Sequence, residues 1–203
     1  MATPSLMIPL NLKLENAHVQ LRALQESDLE HLAHFADEEP DLWQYSLMPI
    51  HGTADMQAYI RAALVGRAAG KEFPFIIYNK DLNQYAGSTR FYDIQFQQHS
   101  LQIGYTWLGK AHWGSRVNKS CKFLMLAYAF EQLHMERVEF RADVRNARSR
   151  KAMASIGCVE EGIIRSHMTL ADGSRRSSVM LSILKDEWES GVKMRLKQLV
   201  EAG

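Results

Sequence analysis

The 203 residues suit one sizeable domain, and 46% hydrophobic with 23% charged residues is a globular balance rather than a disordered one. A formal net charge of +1 excludes the broad basic footprint of a nucleic-acid or anionic-membrane binder. Cys121 and Cys158, the two cysteines, stand in no CxxC and beside no zinc-spaced histidines, so neither a metal site nor a disulfide framework is expected. A bond between the two thiols stays open at this level.

Residues 1–17 read as a leader and 18–203 as one domain. The apolar stretch Leu6-Met7-Ile8-Pro9-Leu10 is too short and too broken by proline for a signal sequence. No run reaches transmembrane length, and a cytoplasmic location is expected. His18-Val19-Gln20-Leu21-Arg22 alternates and predicts a strand. Ser27-Asp28-Leu29-Glu30 is a capping box opening a helix to about Ala36. Asp37 to Gly52 is an aromatic-rich loop, and Thr53 caps a helix carrying Met56, Tyr59, Ile60, Ala63 and Leu64.

Three strands are predicted next: Phe73 to Tyr78, Tyr85 to Phe91 and Leu101 to Leu108, joined by polar turns as an antiparallel meander. A long, mostly buried helix runs from Val117 to Leu133. The rest reads as a strand over Arg137 to Val144, a helix over Arg148 to Ile156 and a strand over Cys158 to Leu170. Asp172-Gly173 turns the chain into a strand over Ser177 to Leu184, and a polar helix from Asp186 to Glu201 ends it. The order is that of a mixed α/β domain.

The chemistry-bearing segment is the strand ending at Trp107-Leu108, the turn through Gly114 and the helix beginning at Val117. Free amides and the dipole at a helix N-terminus suit an anion, especially a pyrophosphate. A glycine before a helix is more often a plain turn. Neither GxxxxGK(S/T) nor GxGxxG is present, so Walker-type ATPases and Rossmann dehydrogenases have no support.

Ile103-Gly104-Tyr105-Thr106-Trp107-Leu108 with His112-Trp113-Gly114-Ser115-Arg116-Val117-Asn118 resembles the strand and pyrophosphate loop of GNAT acetyltransferases. Asp143-Val144-Arg145-Asn146-Ala147-Arg148-Ser149-Arg150 followed by Ile156-Gly157-Cys158 resembles their next strand–helix unit. The wording is most similar to the branch holding the ribosomal-protein N-terminal acetyltransferases. That resemblance implies a mostly antiparallel sheet splayed between two parallel strands, with acetyl-CoA as cosubstrate, no metal and an amine acceptor. Branch relatives often dimerise, so a homodimer is left open.

Residue by residue, the resemblance assigns coenzyme binding to Trp107, Leu108, Trp113, Gly114, Ser115, Arg116, Val117, Asn118, Asn146 and Ser149. Ala111 and Arg116 depart from the family loop, and Arg116 is either a phosphate contact or a crowding side chain. Asn146 has a second reading as a helix N-cap, and both roles are compatible. Arg116, Lys119 and Lys122 form a local basic patch whose plain reading is a solvated helix face. The same plain reading covers the basic run Arg148-Ser149-Arg150-Lys151.

For catalysis, the strand of Tyr105 and Thr106 is expected to supply a backbone oxyanion donor. The family's thiolate-side tyrosine falls on Met153, leaving Ser149 as the candidate hydrogen-bond donor. Gln102 stands where the branch often has a glutamate, so Asp93 is the candidate base, against its plain reading as an exposed strand-end carboxylate. His112 is read as structural or phosphate-adjacent, and a water chain is the remaining base. Trp43, Tyr45, Arg90 and Tyr92 are candidate acceptor contacts. A protein N-terminus, a polyamine, an amino acid, an aminoglycoside-like drug or another small amine are all open as acceptor. A longer donor such as succinyl-CoA is open too. Met153, Gln102 and Arg116 motivate an alternative, a GNAT-fold module that binds CoA without turnover.

Overall fold

The computed structural model describes residues 8–170 and 172–202. The first seven residues of the expected leader, with Leu6 and Met7 of its apolar stretch, lie outside the described residues. Within the same leader, Lys13–Glu15 forms a strand (β1) that pairs antiparallel with β2, Val19–Ala23. The remaining strands are β3 (Glu72–Asn79), β4 (Gln84–Gln95), β5 (Ser100–Leu108), β6 (Arg137–Asp143), β7 (Val159–Thr169) and β8 (Arg175–Leu184). Together they make one 8-stranded sheet in the order β1-β2-β3-β4-β5-β6-β8-β7. Every neighbouring pair is antiparallel except β5 and β6.

Helices cover the two faces. On one, α1 (Leu29–Glu38) and α2 (Gly52–Ala68) bury Leu32, Phe35, Met56, Ile60 and Ala63 against Ile76 and Trp107. On the other, α3 (Val117–Ala127) and α4 (Ala147–Ser155) pack Cys121, Met125 and Met153 on Phe75, Phe91, Val138 and Phe140. The meander and the helix periodicity thus stand where the sequence places them, because alternation and helical spacing each sort apolar side chains onto one covered face.

Two helix starts and stops differ. Ser27 does not open a capping box with Glu30; Asp28 holds the turn instead, its buried carboxylate gripped by Arg22 at 2.6 and 2.9 Å, with Oδ2 also accepting from the Gln25 N–H. A 3-10 turn therefore occupies Glu26–Asp28 ahead of α1. The C-terminal helix is not continuous. After a short α5 (Lys185–Glu187) a wide turn at Trp188–Val192 contains the extended Gly191, and α6 (Lys193–Ala202) follows.

What positions the site is the parting of β5 from β6. They pair only at Ser100, Leu101 and Gln102 against Arg137, Val138 and Glu139. Beyond these pairs a bulge carries β5 away: Ser88 faces Trp107 while Arg90 faces Gly104, so β5 holds one extra residue there. Tyr105 absorbs it with a positive φ of 49°. Gly87 backs this bend with φ +146°, and a Cβ there would stand 2.1 Å from the Trp107 carbonyl oxygen. Gly87→Ala is therefore expected to cost on the order of 2–4 kcal/mol of stability. Urea denaturation reads this directly, and an unshifted midpoint would show that β4 and β5 do not approach so closely.

Candidate active site

A cavity of about 450 Å³ fills the parting and is lined by residues from both faces of the sheet. Strand alternation sorts its walls. Ile103, Leu108, Phe140 and Ala142 face α3 and α4, whereas Tyr92, Tyr105, Arg141, Asp143 and Arg176 lie on the α1–α2 side.

On the α3 side the wall is the loop from Gly109 into the helix. Gly114 has φ +72°, and no atom beyond its chain neighbours lies within 4 Å of where a Cβ would stand, so its backbone is open to the cavity. Ser115 Oγ donates to the His112 carbonyl at 2.6 Å and accepts from the Val117 amide at 3.3 Å, closing the turn. Asn118 lines the cavity from the first helical turn, where unpaired amides suit an anion. Trp113 donates its indole N–H to the Leu108 carbonyl at 2.7 Å, and the Arg148 guanidinium stacks 3.6 Å above its ring. This stack spans the cavity from the loop to α4.

Asn146 caps α4 by accepting from the Ser149 N–H at 3.0 Å. That leaves the Ser149 hydroxyl, which lines the cavity, without a hydrogen bond among the described residues. Met153 and Ile156 extend the same wall.

Beneath the bulge lies a charge that the sequence reading put in solvent. Lys122 is buried, not on a solvated helix face, and donates to Thr106 Oγ1 at 2.7 Å. Thr106 also shares a 2.7 Å hydroxyl contact with Thr89. Burial pulls the Lys122 ammonium down to about 8. The same burial pushes the free thiols of Cys121 and Cys158 up to about 12, and no disulfide joins them.

The α1–α2 side is aromatic and basic. Tyr45, Tyr92 and Tyr105 line it, with Tyr92 and Tyr105 edge to face at 5.1 Å. Burial raises both the Tyr92 and Tyr105 hydroxyl pKa values, so both stay protonated as donors. Trp43 sits in the roof, 4.9 Å from Trp107, with its indole N–H unpartnered. Asp143 is fully buried at its carboxylate and gripped by Arg145 at 2.7 and 2.9 Å, which holds its pKa low. His112 is buried against Asn79 at 3.1 Å, and burial lowers its pKa.

The comparisons decide the family. Residues 18–159 match the model of the Acetyltransferase (GNAT) domain. The chain belongs to the GNAT acetyltransferase family. It is 28% identical over 190 residues to the Bacillus subtilis (strain 168) protein named "Putative ribosomal N-acetyltransferase YdaF", covering 86% of this chain and 95% of that one. A crystal structure from T. thermophilus, described in similar terms as an acetyltransferase, superposes with a TM-score of 0.84 at 31% identity, covering 95% of this chain and 99% of that one. Mycobacterium smegmatis RimJ in complex with CoA-disulfide shares the fold, with a TM-score of 0.73 at 20% identity over 89% of this chain and 88% of that one. The enzyme is thus an N-acetyltransferase of a fold that uses acetyl-CoA. Among the described residues no helix is long and apolar enough to cross a membrane, and no cluster of His, Cys, Asp or Glu is placed to hold a metal.

The cavity gathers Trp43, Tyr45, Tyr92, Tyr105, Trp107, Leu108, Trp113, Gly114, Asn118, Asn146 and Ser149 of the GNAT site expected from sequence. Five expected residues lie off its wall. Asp93 turns away at φ +48° and accepts from Gln95 at 2.9 Å and Gln102 at 2.8 Å. Arg90 is buried behind Tyr105, paired to Glu72 at 2.6 Å and stacked 4.1 Å from the tyrosine ring. Arg116 takes ordinary helical dihedrals and reaches His18 Nε2 at 3.1 Å, so it neither strains the loop nor points at the cavity. Ser115 and Val117 close the turn from behind. Sequence reasoning missed Arg141, Asp143 and Arg176, although their alternation on β6 and β8 with Phe140, Ala142 and Val179 carries the signal.

Lys122 yields a pH-dependent expectation. Its pKa is lower folded than unfolded, so the penalty of the buried ammonium is complete below about pH 8. Stability should rise between there and the unfolded pKa near 10.5. Lys122→Met removes the buried charge and should gain on the order of 2–3 kcal/mol at pH 7, with the advantage fading by about pH 10. Urea titrations at both pH values check it; a variant less stable at both would mean that the Thr106 bond outweighs the buried charge.

Proposed function

We propose that this enzyme moves an acetyl group from acetyl-CoA to a primary amine, either a protein N-terminus or a small molecule, by direct attack in a ternary complex. The observation that carries the reading is the unpaired stretch of β5 beyond Gln102, which lines a cavity walled by residues from both faces of the sheet. A cavity walled from two faces lets donor and acceptor meet at the gap without a covalent enzyme intermediate.

The residues present fit the coenzyme. The Gly114 turn and first-turn amides of α3 offer an anion cradle, with Asn118 and Arg148 beside it. Unpaired backbone groups on β5 would pair with an amide-bearing arm as an added strand does. Bound acetyl-CoA supplies the activated thioester. Ser149 donates a hydrogen bond to the leaving sulfur, and a β5 amide serves the developing oxyanion.

Among the described residues of the wall no side chain is free to take the proton: Asn79 engages His112 at Nδ1 and Lys122 donates to Thr106. Asp143 is held ionised by Arg145, and the Tyr92 and Tyr105 hydroxyls stay protonated. The amine therefore loses its proton to water. At saturating acetyl-CoA, kcat/KM should rise about tenfold per pH unit below the acceptor's own pKa and level there. A plateau beginning near pH 6, whatever the acceptor, would instead reveal a base on the protein.

Thermal shift tests the donor. Acetyl-CoA and CoA should raise Tm by mass action, while ATP and NADH do less. Asn146→Ala should lower kcat/KM about tenfold or more and Ser149→Ala should lower kcat by a similar factor, with Tm falling little. Unchanged kinetics in both variants would refute this site. Binding of acetyl-CoA with no turnover across a broad amine panel would favour the non-catalytic reading, to which Met153 on the cavity wall belongs.

A further inference from the structure

The acceptor side of the cavity carries two arginines that the protein leaves unsatisfied. Arg176, on β8, is 8% exposed, and its Nε has no partner. Its one hydrogen bond runs from Nη1 to the Tyr45 carbonyl at 3.4 Å, near the limit for such a bond. Arg141, on β6, likewise buries an Nε without a partner. Its nearest carboxylate oxygen, on Asp93, is 3.8 Å away and already accepts from Gln102. Asp143 is committed to Arg145. Both guanidiniums, each with an unpartnered Nε, line the same cavity beside Tyr92 and Tyr105.

Buried, unpaired guanidinium donors are costly, so they call for a partner, and on a cavity wall a ligand can supply it. We propose that the acceptor is a small amine bearing an anionic group, a carboxylate, which Arg141 and Arg176 hold while the amine points to the gap between β5 and β6. This rests on the acetyl-transfer reading of the same cavity. A guanidinium fork matches the two oxygens of a carboxylate, which gives orientation as well as affinity. The charges agree in sign: among the described residues neither guanidinium has a carboxylate closer than the 3.8 Å of Arg141 to Asp93, so an anionic group on the acceptor would be drawn to them. His167 stands near Arg141 and Arg176 with a buried, unpartnered Nδ1; burial and those cations keep it neutral.

Size is set by the roof. Leu42, Trp43, Tyr45, Ser46 and Leu47 line this end. A roof of large side chains over the arginines favours a short acceptor over the end of a protein chain. The structure therefore assigns the acceptor to the class of amino acids and similar amino-carboxylates.

The test measures CoA release from acetyl-CoA with matched acceptors: a panel of amino acids, their carboxamides, aminoalkyl phosphonates, a polyamine and a tetrapeptide. The best amino acid should exceed its amide by about 100-fold in kcat/KM, chiefly through KM. Arg176→Met and, separately, Arg141→Met should collapse that ratio toward one, while acetyl-CoA still raises Tm in each, which shows that the variants fold. Arg176→Lys should restore part of it. A phosphonate outranking the amino acid would overturn the carboxylate assignment. Equal rates for acid and amide, or preference for the polyamine or tetrapeptide, would overturn the inference while leaving acetyl transfer standing. No turnover with any amine would overturn both readings.

Discussion

The parting of β5 from β6 is the constraint on which the rest depends. Adjacent parallel strands ordinarily satisfy each other's backbone groups along their length, and an unmet buried pair is expensive. Here pairing stops after Gln102, so the sheet holds open a seam of unused donors and acceptors. The seam persists because its borders are tied elsewhere. On one side β4 and β5 interlock through the bulge, with Gly87 against the Trp107 carbonyl and Thr89 bonded to Thr106. On the other, β6 is fully paired to β8 from Arg137 to Asp143. Neither strand can close the gap without giving up pairing it already has.

The seam also divides the chemistry by face. Its α3–α4 side joins apolar Ile103, Leu108, Phe140 and Met153 to a polar rim at the Gly114 turn, Asn118, Asn146, Arg148 and Ser149, with Lys122 beneath, which suits a long arm with an anionic end. Its α1–α2 side is polar, with Arg141, Asp143 and Arg176 on the faces of β6 and β8 away from α3 and α4. Arg90 serves this side without entering it: paired to Glu72 and stacked on Tyr59 and Tyr105, it fixes the residue that carries the positive φ of the bulge. The Tyr59 hydroxyl adds a bond to the Tyr105 carbonyl at 3.5 Å and accepts from Trp107 at 3.3 Å.

Much of this was legible in the sequence, for physical reasons. Strands β2 to β5 and helices α2 and α3 announce themselves by periodicity, since one covered face forces apolar side chains into register. The loop through Gly114 and the Asn146 cap are short-range features, written within a few residues. What was not legible depends on neighbours far along the chain. Lys122 looks like its half-buried neighbour Lys119 until Thr106 and Phe140 close over it. Asp93 looks like a free strand-end carboxylate until Gln102 claims it. Arg116 was weighed as a phosphate ligand or a clash, and His18 takes it instead. Each outcome is set by tertiary partners whose spacing no local pattern encodes.

The missing general base and the surplus of arginines belong to one electrostatic argument. A cation on the cavity wall about 6 Å from an ammonium, at an effective dielectric near 20, disfavours it by about 3 kcal/mol, or about two pKa units. Lys122, on the cavity wall beneath Thr106, is a cation that would act in this sense. Were the arginines above also uncompensated, the same repulsion would weaken binding of a cationic acceptor. A carboxylate on the acceptor spends their charge at the far end of the molecule, leaving the amine end to feel Lys122. The anion then anchors the acceptor while the remaining cation favours the neutral, nucleophilic amine. On this account the cavity lowers the proton's affinity for the substrate instead of providing a residue to accept it, and the tight Asp143–Arg145 pair fits that division: an uncompensated carboxylate on the acceptor side would stabilise the ammonium form that cannot attack.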